Sequence, residues 1–209
     1  MKTQTFDMAS IWARSNDGAW ADSDLSRVLD ALAWPAITER GPWLGGGALR
    51  RTLAHMPLAS DFDFFFRDAD QLETFAAGLE KAGLVKTRET AHHVQYSGYL
   101  AAATREVEIQ CIRFRYYETA EQVIESFDFT ICQFAYDGEK LTCGEFALWD
   151  LGRRRLSINK ITYPVSTMRR LLKYTKQGFT ACGGCLASIL TETAGSPELL
   201  GQLDIQYVD

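Results

Sequence analysis

The run Asp61-Phe62-Asp63-Phe64-Phe65-Phe66 constrains this chain more than any other stretch. A cluster of aromatics suits a β-strand, where successive side chains point to opposite faces. On a strand spanning Asp61 to Phe66, Asp61 and Asp63 share one face, while Phe62, Phe64 and Phe66 share the other. The phenylalanines seek a core. The two carboxylates stand side by side and repel, which is unfavourable unless something positive binds between them. A divalent ion removes that repulsion, and hard oxygen ligands suit Mg2+ or Mn2+. Ions held there would activate an attacking hydroxyl and steady a leaving pyrophosphate, so a nucleoside triphosphate (NTP) is the expected substrate.

The segment just upstream supplies the other half of such a site. Gly45-Gly46-Gly47 follows a short strand ending at Trp43-Leu44 and precedes a helix expected from Ala48 to His55, stopped by Pro57. Glycines at that junction let backbone N–H groups approach a phosphate closely. Arg50 and Arg51 follow on the first turn, placed to reach phosphate or pair with an aspartate. Ser60, next to Asp61, joins this nucleotide-binding set.

The rest of the chain reads as strands in the middle and helices at both ends. The first forty residues are expected to form one or two helices, one from Asp22 to Ala33 capped by Ser23 or Asp24. An amphipathic helix is expected from Asp70 to Ala82, with Gly83 as its stop. Strands are expected over His92–Leu100, Arg105–Phe114 and Phe127–Tyr136, with Asp137-Gly138 turning into a return strand at Lys140–Cys143. Thr119 and Gln122 fit a capping box that opens a short helix through Ser126. Pro164 precedes a helix over Val165–Lys176, a second is expected near Leu186–Thr193, and Ser196-Pro197 opens a third. The fold class expected is α+β: residues 1–150 form the core, and residues 151–209 form a basic, mainly helical extension packed on it.

Net charge is −5, but it is unevenly spread. Residues 151–178 hold eight Lys or Arg and no Asp or Glu, which points to a polyanion, RNA or triphosphate, as partner. Arg169, Arg170, Lys173 and Lys176 fall largely on one side of the expected helix, and Arg170 and Lys173 are taken as nucleotide-binding. Tyr163 or Tyr174 is placed to stack on a base. A solvated basic face is the plainer alternative. No apolar run is long enough to span a bilayer, and the opening residues lack the apolar core of a secretory signal, so a cytoplasmic setting is expected. Five cysteines, an odd count, are expected to be reduced thiols.

Gly46-Gly47-Ala48-Leu49-Arg50 followed by Asp61-Phe62-Asp63 resembles the signature of the DNA polymerase β nucleotidyltransferase superfamily, above all its CCA-adding and poly(A) polymerase branch. The later segments FDFTICQFAYDG and SINKITYPVSTMRRLLKYTKQGF are similar to nucleotidyltransferase-like proteins of phages and large DNA viruses. The resemblance implies a mixed sheet with flanking helices, the glycine turn and the D-x-D strand meeting in a cleft. It also implies a third carboxylate on a neighbouring strand. Glu108, in Val107-Glu108-Ile109, is one candidate for catalysis and metal binding beside Asp61 and Asp63; Asp128, in Phe127-Asp128-Phe129, is the other. The chain is much shorter than CCA-adding enzymes, which carry a long helical portion for base selection and tRNA.

Other candidates are weaker. Cys182-Gly-Gly-Cys185 has metal-ligand spacing without a second pair. His92-His93 alternates across a strand, so one is placed to face the cleft, with a surface role the plainer reading, and His55 reads as a helix-end residue. A P-loop motif is missing. The expected function is therefore a metal-dependent nucleotidyltransferase moving a nucleotide from an NTP to a hydroxyl on RNA, a protein or a small molecule. The alternative is a catalytically inactive version of the fold that binds nucleotide, RNA or a host protein as a phage accessory factor. Acceptor, base preference and oligomeric state are not encoded in any motif.

Overall fold

A computed structural model describes residues 1–8, 24–32 and 40–195. An eight-stranded sheet runs through it in the order β1-β8-β7-β2-β3-β6-β5-β4. The strands are β1 (Thr3–Asp7), β2 (Trp43–Gly45), β3 (Phe62–Phe65), β4 (Val85–Glu89), β5 (His93–Leu100), β6 (Arg105–Ile112), β7 (Phe134–Tyr136) and β8 (Lys140–Gly144). Only β3 and β6 pair in parallel; every other pair in this sheet is antiparallel. Helices α1 (Asp24–Ala31), α2 (Gly46–Leu53), α3 (Ala69–Lys81) and α4 (Ala120–Glu125) accompany it. Beyond the sheet lie α5 (Ala147–Gly152), α6 (Pro164–Lys176) and α7 (Gly183–Gly195), with a small parallel pair β9 (Arg155–Leu156) and β10 (Thr180–Ala181). The α+β class and the mixed sheet with flanking helices are those expected.

The aromatic strand explains the layering. Phe62, Phe64 and Phe66 are buried in the main core, with Phe64 and Phe66 packing on Phe75 of α3 at centroid separations of 4.6 and 5.4 Å. Phe65 points the other way into a smaller core with Trp43, Ile112, Tyr117, Val123 and Ile124. The D-x-D face is thus half core and half cleft: α4 covers Phe65, and the ground beside Asp61 and Asp63 is left open. Asp68 caps α3 by accepting from Gln71 N at 2.8 Å. Leu171, Tyr174, Phe179, Cys185 and Ile189 from the C-terminal third are buried in the same main core as the phenylalanines of β3.

Three expectations need correction. Residues 3–7, read as helical, form an edge strand on β8, registered Thr3 to Gly144 through Asp7 to Lys140. Thr3 and Thr5 are β-branched, which favours that pairing. Residues 127–136 are not one strand: Phe129 bridges Ile158, Thr130–Cys132 make a 3-10 turn, and only Phe134–Tyr136 is extended. The polar groups there are satisfied elsewhere, since Asp128 O accepts from Asn159 N (2.7 Å) and Thr130 Oγ1 donates to Asp150 Oδ2 (2.6 Å). In the capping box, Thr119 accepts from Gln122 N as expected, but the Gln122 side chain accepts from Glu118 N. The helix expected at Ser196-Pro197 and the Ser23 cap lie outside the described residues. No helix among the described residues is long and apolar enough to cross a membrane.

Candidate functional site

The antiparallel register of β2 on β3 sets Gly45 opposite Asp63. The chain then turns into α2, where Gly46 takes φ +70°, a conformation that side chains beyond glycine rarely adopt. A Cβ on Gly46 would lie 2.6 Å from Asp63 Oδ2, and one on Gly47 would collide with Ser60 Oγ. The glycine turn is therefore pressed directly against the D-x-D strand. Gly45, the N-cap, makes no side-chain cap hydrogen bond, so the N–H groups opening α2 have no side-chain partner there.

The loop carrying Asp61 is pinned on both sides. Arg51 Nη1 donates to Pro57 O (3.0 Å), and Arg105 Nη2 donates to Leu58 O (2.6 Å). Ser60 Oγ donates to Asp61 Oδ1 at 3.2 Å, and Gln110 Nε2 donates to Asp61 Oδ2 at 2.6 Å. Burial, partly offset by the charge of Lys173, raises the Asp61 carboxyl above the ordinary value. Asp63 is pushed well above it, first by burial and then by the Asp61 charge; Lys173 and Arg170 pull it back. The Asp61 charge thus acts on Asp63 beyond the effect of burial, with Lys173 and Arg170 as the opposing cations.

These groups line one large cleft of about 2060 Å³, walled on the other side by α6. That exceeds the ~300–1,000 Å³ of an ordinary small-molecule site. Arg169, Arg170, Lys173 and Lys176 all line it. Arg170 is anchored there: its Nη1 donates to Asp128 Oδ2 at 2.9 Å, and Thr167 Oγ1 donates to the same oxygen at 3.1 Å. Asp128, one candidate for a third acid, is thus a buried clamp on α6.

Glu108, the other candidate, lies in the cleft wall one residue before Ile109, the partner of Phe62. Its charge contributes to raising both aspartates. Among the described residues, however, no three His, Cys, Asp or Glu side chains come together as a group able to hold a metal. The residue opposite Asp63 on β6 is the neutral Gln110. The donor set on offer is therefore two carboxylates, which fits Mg2+ or Mn2+ held by one or two acids plus substrate phosphates rather than a complete protein cage.

Arg50 lines the cleft yet is 2% exposed. Its Nη2 donates to Gln177 Oε1 (3.0 Å), its Nη1 to Cys132 Sγ (3.5 Å), and its guanidinium lies 4.3 Å from the Tyr174 ring centre. It ties α2 to α6 beneath the site. Tyr174, read as a stacking residue, is buried with its hydroxyl 3.1 Å from Cys132 Sγ, whereas Tyr163 is exposed in the cleft wall.

One contributor escaped sequence reasoning. Gln110 shares the alternating face of Glu108, and that alternation was the available signal. Of the histidine pair, of which one is expected to face the cleft, both line it: His93 is buried and His92 is exposed. Cys182 and Cys185 are free thiols, and Cys143 lies in the core.

The family model described as Gabija anti-defense 2 family protein matches residues 20–154. A curated relative, Gabija anti-defense 2 of Bacillus phage SPbetaL7, is 27% identical over 140 residues, covering 66% of this chain and 33% of the relative. This chain thus spans about a third of that relative's length. Among solved structures, a CCA-adding enzyme in complex with ATP superposes with a TM-score of 0.62 at 18% identity, covering 95% of this chain and 48% of the enzyme. The Thermotoga maritima CCA-adding enzyme complexed with tRNA gives 0.58 at 18% identity, over 92% and 46%. At that identity the likeness is one of fold: the sheet and its helices are arranged as in these CCA-adding enzymes.

Proposed function

The chain belongs to the Gabija anti-defense 2 family, and from that premise we propose that it opposes a host defence as a metal-dependent nucleotidyltransferase, moving a nucleotide from an NTP to an acceptor hydroxyl. The observation that carries this reading is the close approach of Gly46 to the Asp63 carboxylate. It puts an uncapped helix start and a crowded acid pair in one hollow.

Asp61 and Asp63 are the residues that would hold Mg2+ or Mn2+, which when bound would neutralise the acid pair and offset charge on the triphosphate and attacking oxygen. The N–H groups at the start of α2, beside Gly45, Gly46 and Gly47, face the phosphates. Ser60 and Gln110 fix the two oxygens of Asp61, so its carboxylate holds one orientation. Lys173 adds positive field over both acids, and Arg170, held by Asp128, adds more over Asp63. Arg51 lines the cleft, and Arg50 braces α2 against Gln177 at the end of α6. The basic face of α6 also suits an RNA acceptor; the family's name suits a host protein.

A second reading, binding without turnover, draws on one specific feature. A neutral amide faces Asp63 across β6, and no three-acid group forms among the described residues. Incubation of the protein with each labelled NTP, Mg2+ and host lysate separates the two. Label transferred to any acceptor, and lost in Asp61→Ala and Asp63→Ala, supports transfer. Metal-dependent NTP binding with no labelled product overturns it in favour of binding alone.

A further inference from the structure

A buried polar atom without a partner is rare in a folded protein and calls for an explanation. Among the described residues His93 Nε2 is one of these, on a side chain only 1% exposed that forms part of the cleft wall. Its neighbour Thr90 determines which ring nitrogen carries the proton. Thr90 Oγ1 accepts from His92 N and His93 N, both at 3.1 Å, which fills its two lone pairs. Its single proton lies between His93 O (3.2 Å) and His93 Nδ1 (3.4 Å). Nδ1 therefore has no acceptor for a proton of its own. Burial and nearby Arg88 keep the imidazole pKa below the ordinary value, so the ring is neutral with its proton on Nε2. The orphan is a hydrogen-bond donor in the cleft wall.

An exposed aromatic ring stands in the same cleft. Phe114 is 57% exposed, lines the same cleft, and meets the His92 ring edge-on at 6.1 Å. Both Arg113 N (2.8 Å) and Phe114 N (3.2 Å) donate to His92 O, so the two rings are held together by backbone. Thr90, Ala91 and Ile112 beside these rings carry no charge; Glu106 and Glu108 line the cleft further along β6, and Arg169, Arg170, Lys173 and Lys176 line it from α6. A neutral donor beside an exposed aromatic face, separated from the phosphate-binding cations, fits a heterocycle.

We propose that the β5–β6 side of the cleft is a nucleobase subsite. Phe114 supplies the stacking face, and His93 Nε2–H donates to a ring nitrogen or carbonyl oxygen of the base. The inference rests on the reading of the cleft as a nucleotide site. The base belongs either to the incoming NTP or to the terminal nucleoside of a nucleic-acid acceptor.

The test titrates the full chain in Mn2+ with three ligand sets: the four NTPs, inorganic tripolyphosphate, and single-stranded oligoribonucleotides ending in a 3′-hydroxyl. Phe114→Ala and His93→Phe are expected to weaken at least one base-bearing ligand roughly ten-fold while leaving tripolyphosphate unchanged, from the usual worth of base–aromatic stacking. His93→Gln, which keeps a donor, is expected to recover most of the loss. Thermal melts of each variant report the fold. Loss in the NTP arm assigns the base to the incoming nucleotide, and loss in the oligonucleotide arm assigns it to the acceptor. Equal weakening of all ligands, or of none, overturns the subsite alone. Failure of the wild type to bind tripolyphosphate or NTP with metal overturns the nucleotide reading and the subsite with it.

Discussion

Gln110 Nε2 donates to Asp61 Oδ2 across 2.6 Å while its own backbone stands opposite Asp63 in the parallel register of β3 and β6. A neutral amide thus stands beside the acid pair where a third carboxylate would deepen the repulsion. Gln110→Glu removes the donor and adds a charge. Without metal it is expected to cost about 1–3 kcal/mol, the usual penalty for a buried group losing its partner. Mn2+ is expected to restore much of that, because three acids hold a divalent ion better than two. Thermal melts with and without Mn2+ check this, and a variant as stable as wild type in metal-free buffer contradicts it.

The Asp63 carboxyl titrates well above the ordinary 3.8. In the pH interval above 3.8 and up through that raised value, the folded protein binds more protons than the unfolded chain. Stability therefore falls as pH rises through the interval. Asp63→Asn removes the titration, so in metal-free buffer the variant is expected to be the more stable protein at neutral pH. The advantage is expected to shrink toward zero as pH falls to the ordinary carboxyl value. Saturating Mn2+ should favour the wild type instead. Urea unfolding across pH measures the crossing, and a variant less stable at pH 7 without metal refutes the repulsion argument.

Much of this site was legible because its signals are local. Alternation along Asp61–Phe66 separated acids from core, and glycines before a helix marked the turn against them. What escaped was set by tertiary partners. β4 is exposed at all five positions, so it carries no buried alternation to read. Phe127–Tyr136 is apolar enough for a strand, but Asp128 and Thr130 are taken by loop 157–160 and α5. Arg50 sits where a phosphate ligand is expected, and only the fold shows Gln177, Cys132 and Tyr174 around it. The expectation for Tyr174 failed for the same reason: a helix pattern gives its face, not what lies below.

Gly46→Ala tests the close approach itself. At φ +70° any side chain costs about 1–2 kcal/mol in backbone conformation. The added Cβ, 2.6 Å from Asp63 Oδ2, must also push the turn away from the acid. Nucleotide transfer is expected to fall on the order of 100-fold, as for a displacement of about 1 Å in a positioned site. Steady-state rates on the labelled acceptor measure it. Undiminished transfer would mean that the turn does not position the triphosphate.

Asp128→Ala distinguishes a clamp from a catalytic acid. The carboxylate accepts from Arg170 and Thr167, both on α6, so its removal leaves those donors without it. Stability is expected to drop by roughly 1–3 kcal/mol. Triphosphate affinity is expected to fall several-fold as α6 loosens. A metal ligand would behave otherwise, losing transfer by orders of magnitude with its melting temperature unchanged. Paired melts and NTP titrations of the same preparation separate the two.

The thiols report on the C-terminal helices independently of any ligand. Cys182 is exposed just before α7, where N–H groups of Cys185 and Gly184 stabilise its thiolate and lower its pKa from the ordinary 9.0. Burial drives three of the others the opposite way: Cys111 to about 12, Cys143 to about 11, and Cys185 upward. The thiolate is the nucleophile, so reactivity follows the lowered pKa and exposure together. Brief iodoacetamide treatment of the folded protein near pH 7 is expected to give a single adduct on Cys182, located by peptide mass spectrometry. Denaturant is expected to open the remaining four to alkylation. Early labelling of Cys185 or Cys132 in native buffer would mean that α6 and α7 leave the main core far more readily than their buried Tyr174, Phe179 and Ile189 imply.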